Sequence, residues 1–204
     1  MLDSITRHAK EITLNPIARL LDSIHPNHIT LASVIPGLLC AWFAYQGLFV
    51  WAIGMWAANR VLDGLDGTLA RRQGNQSDFG GYLDILIDFT IYAIVPIGIV
   101  LWRPEQANWI ALVFLFAVYY VNAASWMYLS SILEKRSSGA KTSSEMTSIT
   151  MPTGIIEGTE TVIAYFLFLL FPSYIVWLFP IFAVLVGATI IQRLVWAREV
   201  LSDK

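Results

Sequence analysis

The sequence predicts an all-α fold: a polytopic membrane protein of six transmembrane helices, preceded by an N-terminal amphipathic helix in the membrane interface. Three observations carry this. Hydrophobic residues make up 56% of the 204 positions and charged residues 14%, and the mean hydropathy is +0.61, values outside the range of a soluble domain. The apolar residues collect into six stretches long enough to cross a bilayer as helices, which satisfy their own backbone there. The basic residues gather in alternate connections, the asymmetry that orients membrane proteins. The net charge of −2 says little, because the sum hides how the charges are distributed along the chain; no nucleic-acid partner is expected. Cys40, the only cysteine, lies in an apolar stretch, which excludes an intramolecular disulfide and fits a small packing residue. The chain reads as a single membrane domain over 1–204.

Residues 2–24 begin with charge and hold no long apolar run, so no cleavable signal peptide is visible and the N-terminus is expected to stay in the cytoplasm. Leu2, Ile5, Ala9 and Ile12, then Ile17, Leu20, Leu21 and Ile24 recur at helical spacing around Pro16, with Arg7, Lys10 and Arg19 opposite, the pattern of a helix lying on a membrane surface. The stretch 25–30 breaks that pattern and leaves Asn27 or Thr30 to cap a first span over 31–47. His8, His25 and His28 show no metal-ligand spacing and read as surface residues.

A second span runs from 48 into the segment 63–71, with Asn59 and Arg60 ahead of the acids. Polar residues at that depth face the protein interior, and Asn59, one turn before Asp63, is placed to orient it or to pack between helices. The polar connection 72–79 is too short to cross anything, so the segments on either side are antiparallel neighbours. The third span reaches 101, with Pro96 and Gly98 marking a kink. A short outer loop over 103–108 leads to a fourth span at 109–133, then a Ser/Thr-rich loop to 152. The fifth span, 155–171, turns at Pro172-Ser173 into a sixth at 174–195. With both termini inside, Arg7, Lys10, Arg19, Arg71, Arg72, Lys135, Arg136, Lys141, Arg193, Arg198 and Lys204 all fall on the cytoplasmic side, and Arg103 outside. This is the layout of a multi-pass cell-membrane protein.

Four carboxylates stand out against this background. Asp63 and Asp66 are three apart and Asp84 and Asp88 four apart, so on helices each pair shares a face, one turn from its partner. Two such helices side by side would make a four-carboxylate cage. Four ionised carboxylates that close repel strongly, so the expected occupants are hard cations with oxygen ligands, Mg²⁺ or Mn²⁺. Gly67 lies one turn beyond Asp63 and Gly80 one turn before Asp84, leaving bare backbone where a ligand or the other helix can approach. Arg71 ends the same face, and its fork of donors suits a phosphate or pyrophosphate. Metal ions and an arginine together describe a phosphoryl-transfer site at the cytoplasmic membrane face.

The run Asp63-x2-Asp66-Gly67-x2-Ala70-Arg71-x8-Gly80-x3-Asp84-x3-Asp88 resembles the complete signature of the CDP-alcohol phosphotransferases, integral membrane enzymes of phospholipid synthesis; eight fixed identities at fixed spacing are a specific match. With the hydrophobic layout, the resemblance covers about residues 20–200. It implies that a CDP-linked alcohol, CDP-diacylglycerol first, gives its substituted phosphate to an acceptor alcohol and releases CMP. Asp63, Asp66, Asp84 and Asp88 would hold Mg²⁺ or Mn²⁺, with Asp88 also the base for the acceptor hydroxyl. Gly67, Arg71, Ser77, Asn27 and Thr30 would contact the nucleotide donor. The resemblance also implies a membrane lipid as partner and is compatible with a homodimer.

It is silent on the acceptor. Glu157 and Glu160 share a face at the cytoplasmic start of the fifth span and would suit an amino-alcohol or a polyol; interhelical hydrogen bonding or a helix-start charge preference would explain them too. An acceptor bearing its own phosphate would need Lys135, Arg136, Lys141 or Arg193 turned inward. On these residues the expectation is an acceptor without phosphate, or an amino-alcohol carried on CDP and given to a lipid. Two rival classes fit less well. A Mg²⁺-dependent prenyltransferase places its acidic motifs on distant helices, whereas here both lie within 26 residues. A cation transporter would carry acids through the depth of the bilayer. An inactive scaffold would not need the intact signature.

Overall fold

The computed structural model describes residues 13–136 and 154–202. The described residues are helical, with no strand among them. Residues 13–20 form a helix, followed by α1 (Pro26–Tyr45), α2 (Phe49–Gln73), α3 (Asp78–Trp102), α4 (Gln106–Lys135), α5 (Gly158–Leu170), a 3₁₀ turn (Pro172–Tyr174) and α6 (Ile175–Ser202). Leu2, Ile5, Arg7, His8, Ala9, Lys10 and Ile12 of the expected interfacial helix, and Lys141 with the rest of 137–153, lie outside the described residues. Among the described residues, four helical stretches are long and apolar enough to cross a membrane: Pro26–Tyr45, Asp78–Trp102, Gln106–Lys135 and Pro172–Ser202. The other two of the six expected spans fall short for different reasons. α2 has the length but carries Arg60, Asp63, Asp66, Arg71 and Arg72, and α5 has only 13 residues.

Two close approaches set the packing of α1 against α3. A Cβ at Gly37 would lie 2.3 Å from Ile91 Cδ1, and one at Gly98 would lie 2.4 Å from the Ala41 carbonyl oxygen. Gly98, read from sequence as part of a kink, therefore lets two backbones meet, as small residues do between membrane helices. α2 packs on α1 and, through an aromatic column, on α5. The Trp56 ring stacks on Tyr165 at 5.0 Å, and the Tyr165 hydroxyl donates to the Tyr92 carbonyl on α3. Phe168 then meets Phe179 edge-on at 4.8 Å, carrying the column to α6. α6 in turn packs along α4.

The ends of the helices follow local chemistry. The first cap differs from expectation: α1 begins at Pro26, and the His25 ring nitrogen Nδ1 accepts from the Asn27 N–H at 3.2 Å. Asn27 and Thr30 therefore lie inside the first turns, and the Thr30 hydroxyl donates to the Pro26 carbonyl. Gly74 ends α2 with φ +61°; its N–H donates to the Arg71 carbonyl and that of Asn75 to the Ala70 carbonyl, the paired closure that a left-handed residue allows. Ser77 opens α3 by accepting from the Gly80 N–H at 3.1 Å. The helix at 13–20 is held to α2 by Leu14 and Ala18 against Leu65 and Leu69, and by a two-pronged ion pair from Arg72 to Asp22 at 2.7 and 2.8 Å. That hydrogen bond holds the Asp22 carboxyl below its ordinary value. Its contribution is therefore present above the usual carboxylate range and is lost as pH falls through the lowered value.

Candidate metal and phosphate site

α2 ends and α3 begins across residues 74–77, and α1 packs against both. Side chains of the two helices meet beside it, Arg60 and Asp63 of α2 with Asp84 and Asp88 of α3. Oxygens of Asp63, Asp84 and Asp88 come within 4.8 Å of one another. Asp66 is not among them, so the expected four-acid cage is a group of three with a fourth acid alongside. A step of three residues stops about 60° short of a full helical turn, which offsets Asp66 from Asp63 toward the neighbouring cleft. There it is buried at 6% exposure, and its Oδ2 has no hydrogen-bond partner. An inaccessible carboxylate oxygen without a partner implies an absent ligand. The donors are all hard oxygens, and this set fits a divalent cation such as Mg²⁺ or Mn²⁺.

The cleft has a volume of about 180 Å³, and its walls include Asn27 and Thr30 from α1, Asp66, Gly67 and Arg71 from α2, Ser77, and Gly80 and Asp84 from α3. Every residue expected to contact a nucleotide donor thus lines one concavity, with two of the acids. The glycines keep it open. A Cβ at Gly80 would lie 3.0 Å from Asn27 Oδ1 and 3.1 Å from Ser77 Oγ, and one at Gly67 would lie 3.2 Å from Arg71 Nη1. Ser77 serves both as helix cap and as part of the wall.

Asn59 takes the second of its two expected roles and bonds between helices. Its Oδ1 accepts from Arg60 Nε at 2.9 Å and Nη2 at 2.6 Å, and its Nδ2 donates to the Ser33 carbonyl at 2.8 Å. It orients Arg60 rather than Asp63. Arg60 Nη2 in turn donates to Asp88 Oδ1 at 2.8 Å, and Nη1 stands 3.7 Å from Asp63 Oδ2. The sequence holds a signal for this contact, since Arg60 precedes Asp63 by one helical turn with opposite charge.

The acceptor candidates stand apart from the cleft. Glu157 and Glu160 form a capping box at the start of α5: the Glu157 side chain accepts from the Glu160 backbone N–H, and Glu160 Oε2 accepts from the Glu157 N–H at 3.1 Å; Glu157 Oε1 also accepts from the Gly154 N–H at 3.0 Å. This is the helix-start use weighed from sequence. Arg193 of α6 is turned inward and buried at 6% exposure. Its Nη1 donates to Asn122 Oδ1 at 3.0 Å and Ser125 Oγ at 2.9 Å on α4, and its Nε is buried with no partner.

The chain is similar to known proteins along most of its length. The family model described as CDP-alcohol phosphatidyltransferase matches residues 23–196. The inner membrane protein YnjF of Escherichia coli (strain K12) is 34% identical over 97% of this chain and 95% of its own. The archaetidylinositol phosphate synthase of Pyrococcus horikoshii is 30% identical over 98% and 97%, and the phosphatidylinositol phosphate synthase of Cutibacterium acnes 30% over 91% and 92%. The crystal structure of the Mycobacterium tuberculosis phosphatidylinositol phosphate synthase with CDP-DAG bound shares the fold, with a TM-score of 0.63 at 22% identity over 91% of this chain and 93% of that one.

Proposed function

This chain belongs to the CDP-alcohol phosphatidyltransferase family, a membrane transferase of substituted phosphate groups in phospholipid biosynthesis, and on that premise we propose that it moves the phosphatidyl group of CDP-diacylglycerol onto a small alcohol that bears its own phosphate. The observation that carries the reading is the joining of Asn27, Thr30, Gly67, Arg71 and Ser77 into one cleft with Asp66 and Asp84. That cleft accepts the cytidine and pyrophosphate of the donor. Asp63, Asp66, Asp84 and Asp88 hold Mg²⁺ or Mn²⁺, which when bound neutralises pyrophosphate charge. The acceptor oxygen bonds to the phosphorus that carries the lipid, and its proton passes to Asp88. The bond from that phosphorus to the bridging oxygen breaks, and its electron pair leaves with CMP. Positioning and charge complementarity supply most of such a reaction, and a carboxylate suffices as base because the proton moves as the new bond forms.

Arg193 supports the phosphorylated acceptor. The two glutamates that favour an unphosphorylated alcohol from sequence are occupied in capping, whereas Arg193 offers a buried fork with a donor to spare. Two relatives that match this chain along nearly their full length are named as synthases of lipid inositol phosphates, products that keep a phosphate on the polyol. Purified protein given CDP-diacylglycerol, CDP-choline or CDP-ethanolamine with candidate alcohols should release CMP only with CDP-diacylglycerol and a polyol phosphate. Release only from a CDP-amino-alcohol with diacylglycerol would reverse donor and acceptor. Arg193→Ala should raise KM for the phosphorylated acceptor about tenfold or more, the loss of a charge-assisted contact, while Glu157→Gln and Glu160→Gln lower thermal stability and leave that KM unchanged.

We also propose that α2 and α5 complete six spans, with both termini and the cleft at the cytoplasmic face of the cell membrane. Arg71 and Arg72 flank the 74–77 connection at one end of α3, and Arg103 stands at the other. A cysteine replacing Asn75 should react only with reagents that reach the cytoplasm, and one replacing Glu105 only with reagents applied outside. Native Cys40 is buried and gives little background. Outside labelling at 75 would overturn the placement.

A further inference from the structure

We propose that Arg60 is a positioning residue for transfer: a fixed internal cation that holds one oxygen of Asp88 and balances the carboxylate group from within the protein. The inference rests on Asp88 being the base. Arg60 is restrained on all sides, with a side chain only 9% exposed. Its guanidinium lies 4.8 Å from the Trp56 ring centre and 5.1 Å from that of Tyr92, and Nη1 donates to the Tyr92 hydroxyl at 3.0 Å. Asn59, itself anchored to α1 through the Ser33 carbonyl, takes Nε and one hydrogen of Nη2. Four helices therefore fix this one cation, since the Tyr165 hydroxyl of α5 ties down the Tyr92 backbone.

The remaining donor on Nη2 reaches Asp88 Oδ1 at 2.8 Å. Oδ1 is thereby committed, and Oδ2 is left to meet the acceptor proton or a metal ion. A guanidinium held on its other donors by Asn59 and Tyr92 fixes the direction from which Oδ1 is met, which a point charge on a flexible stem does not. Four aspartates and a pyrophosphate concentrate negative charge at this end of the bundle, and Arg60 sets a positive charge against two of the aspartates from within the protein. Arg60 does so without a ligand position. It makes no contact with the donor cleft, so its loss should appear in turnover and in metal binding rather than in donor affinity.

The test uses full-length protein in detergent, with Arg60→Lys and Arg60→Met, and reads CMP release under saturating Mg²⁺, KM for CDP-diacylglycerol, and binding of Mn²⁺ alone by the resonance signal of the free ion. Arg60→Met should lower kcat about a hundredfold, as removal of an orienting partner does, with donor KM within about threefold. Its Mn²⁺ affinity should rise about three- to tenfold, because a positive charge beside two ligands is gone. Arg60→Lys keeps the charge and loses the fork, so its Mn²⁺ affinity should match wild type while kcat falls about tenfold. A purely structural arginine would change melting temperature and yield alone. Arg60→Met with wild-type Mn²⁺ affinity, or with kcat per folded protein within about threefold of wild type, overturns the proposal. If Arg60→Met does not fold, Arg60→Lys decides, and wild-type turnover in it overturns the positioning role. Asp88→Asn, assayed alongside, separates the two readings: if that variant keeps turning over, the base assignment fails whatever Arg60 does.

Discussion

Asp88→Asn is expected to abolish CMP release, a loss of about a thousandfold or more, the scale of removing a general base, while the protein stays folded and still binds nucleotide with metal. Asparagine keeps the shape, and its carbonyl oxygen can still accept from Arg60 Nη2, so the scaffold around the site is undisturbed. It lacks the charge and basicity needed to take a hydroxyl proton. Asp88 is absent from the wall of the donor cleft, and donor affinity should change little. Asp84 lines that cleft and belongs to the three-carboxylate group as well, so Asp84→Asn should weaken metal binding, nucleotide binding and turnover together. Near-normal turnover in Asp88→Asn would refute the base assignment and leave the family assignment intact.

The largest effect on stability is expected from Gly98→Val. Even the first added carbon would stand 2.4 Å from the Ala41 carbonyl oxygen and inside van der Waals contact with the same residue's C and Cα, at 3.1 and 3.2 Å. Those are backbone atoms, so no rotamer change relieves the contact and α1 must move off α3. Overpacking of this kind costs about 1–3 kcal/mol or more, a fall on the order of 5–10 °C in melting temperature for a chain of this length. Because α1 supplies Asn27 and Thr30 and α3 supplies Gly80 and Asp84, the same shift should loosen the donor cleft. Gly54→Ala is the control, since a Cβ there meets nothing within 4 Å. A melting temperature in Gly98→Val equal to that of the control would show that the two helices are not pressed together there.

The aspartate group was legible in sequence because spacing on a helix is a strong geometric constraint: once 74–77 is recognised as a tight turn, Asp63, Asp84 and Asp88 have few other places to go. The separation of Asp66 from the other three was not, because it depends on the rotation of α2 about its axis, which residues on α1 and α5 decide. Span lengths were read from hydropathy, which sees apolar runs but not where the backbone stops being helical. Residues 155–157 look like helix by composition, yet the Glu157 and Glu160 side chains satisfy the first backbone N–H groups and start α5 at Gly158. The inward turn of Arg193 had no sequence signal that distinguished it from an ordinary flanking charge.

The brevity of α5 has a consequence for the surrounding lipid. Thirteen residues rise about 20 Å along a helix axis, against a hydrocarbon core of about 30 Å. If α5 crosses the bilayer as proposed, with its far end at the turn into α6, its capped end stops about 10 Å below the opposite boundary. Either the leaflet is dimpled around α5 or water descends to meet it, at a modest elastic cost for each ångström of mismatch. The Glu157 and Glu160 side chains satisfy backbone N–H groups at the start of the helix at that depth. Bilayer thickness thereby becomes a physical variable for this protein: lipids with longer chains would press on the indentation, and shorter ones would relax it.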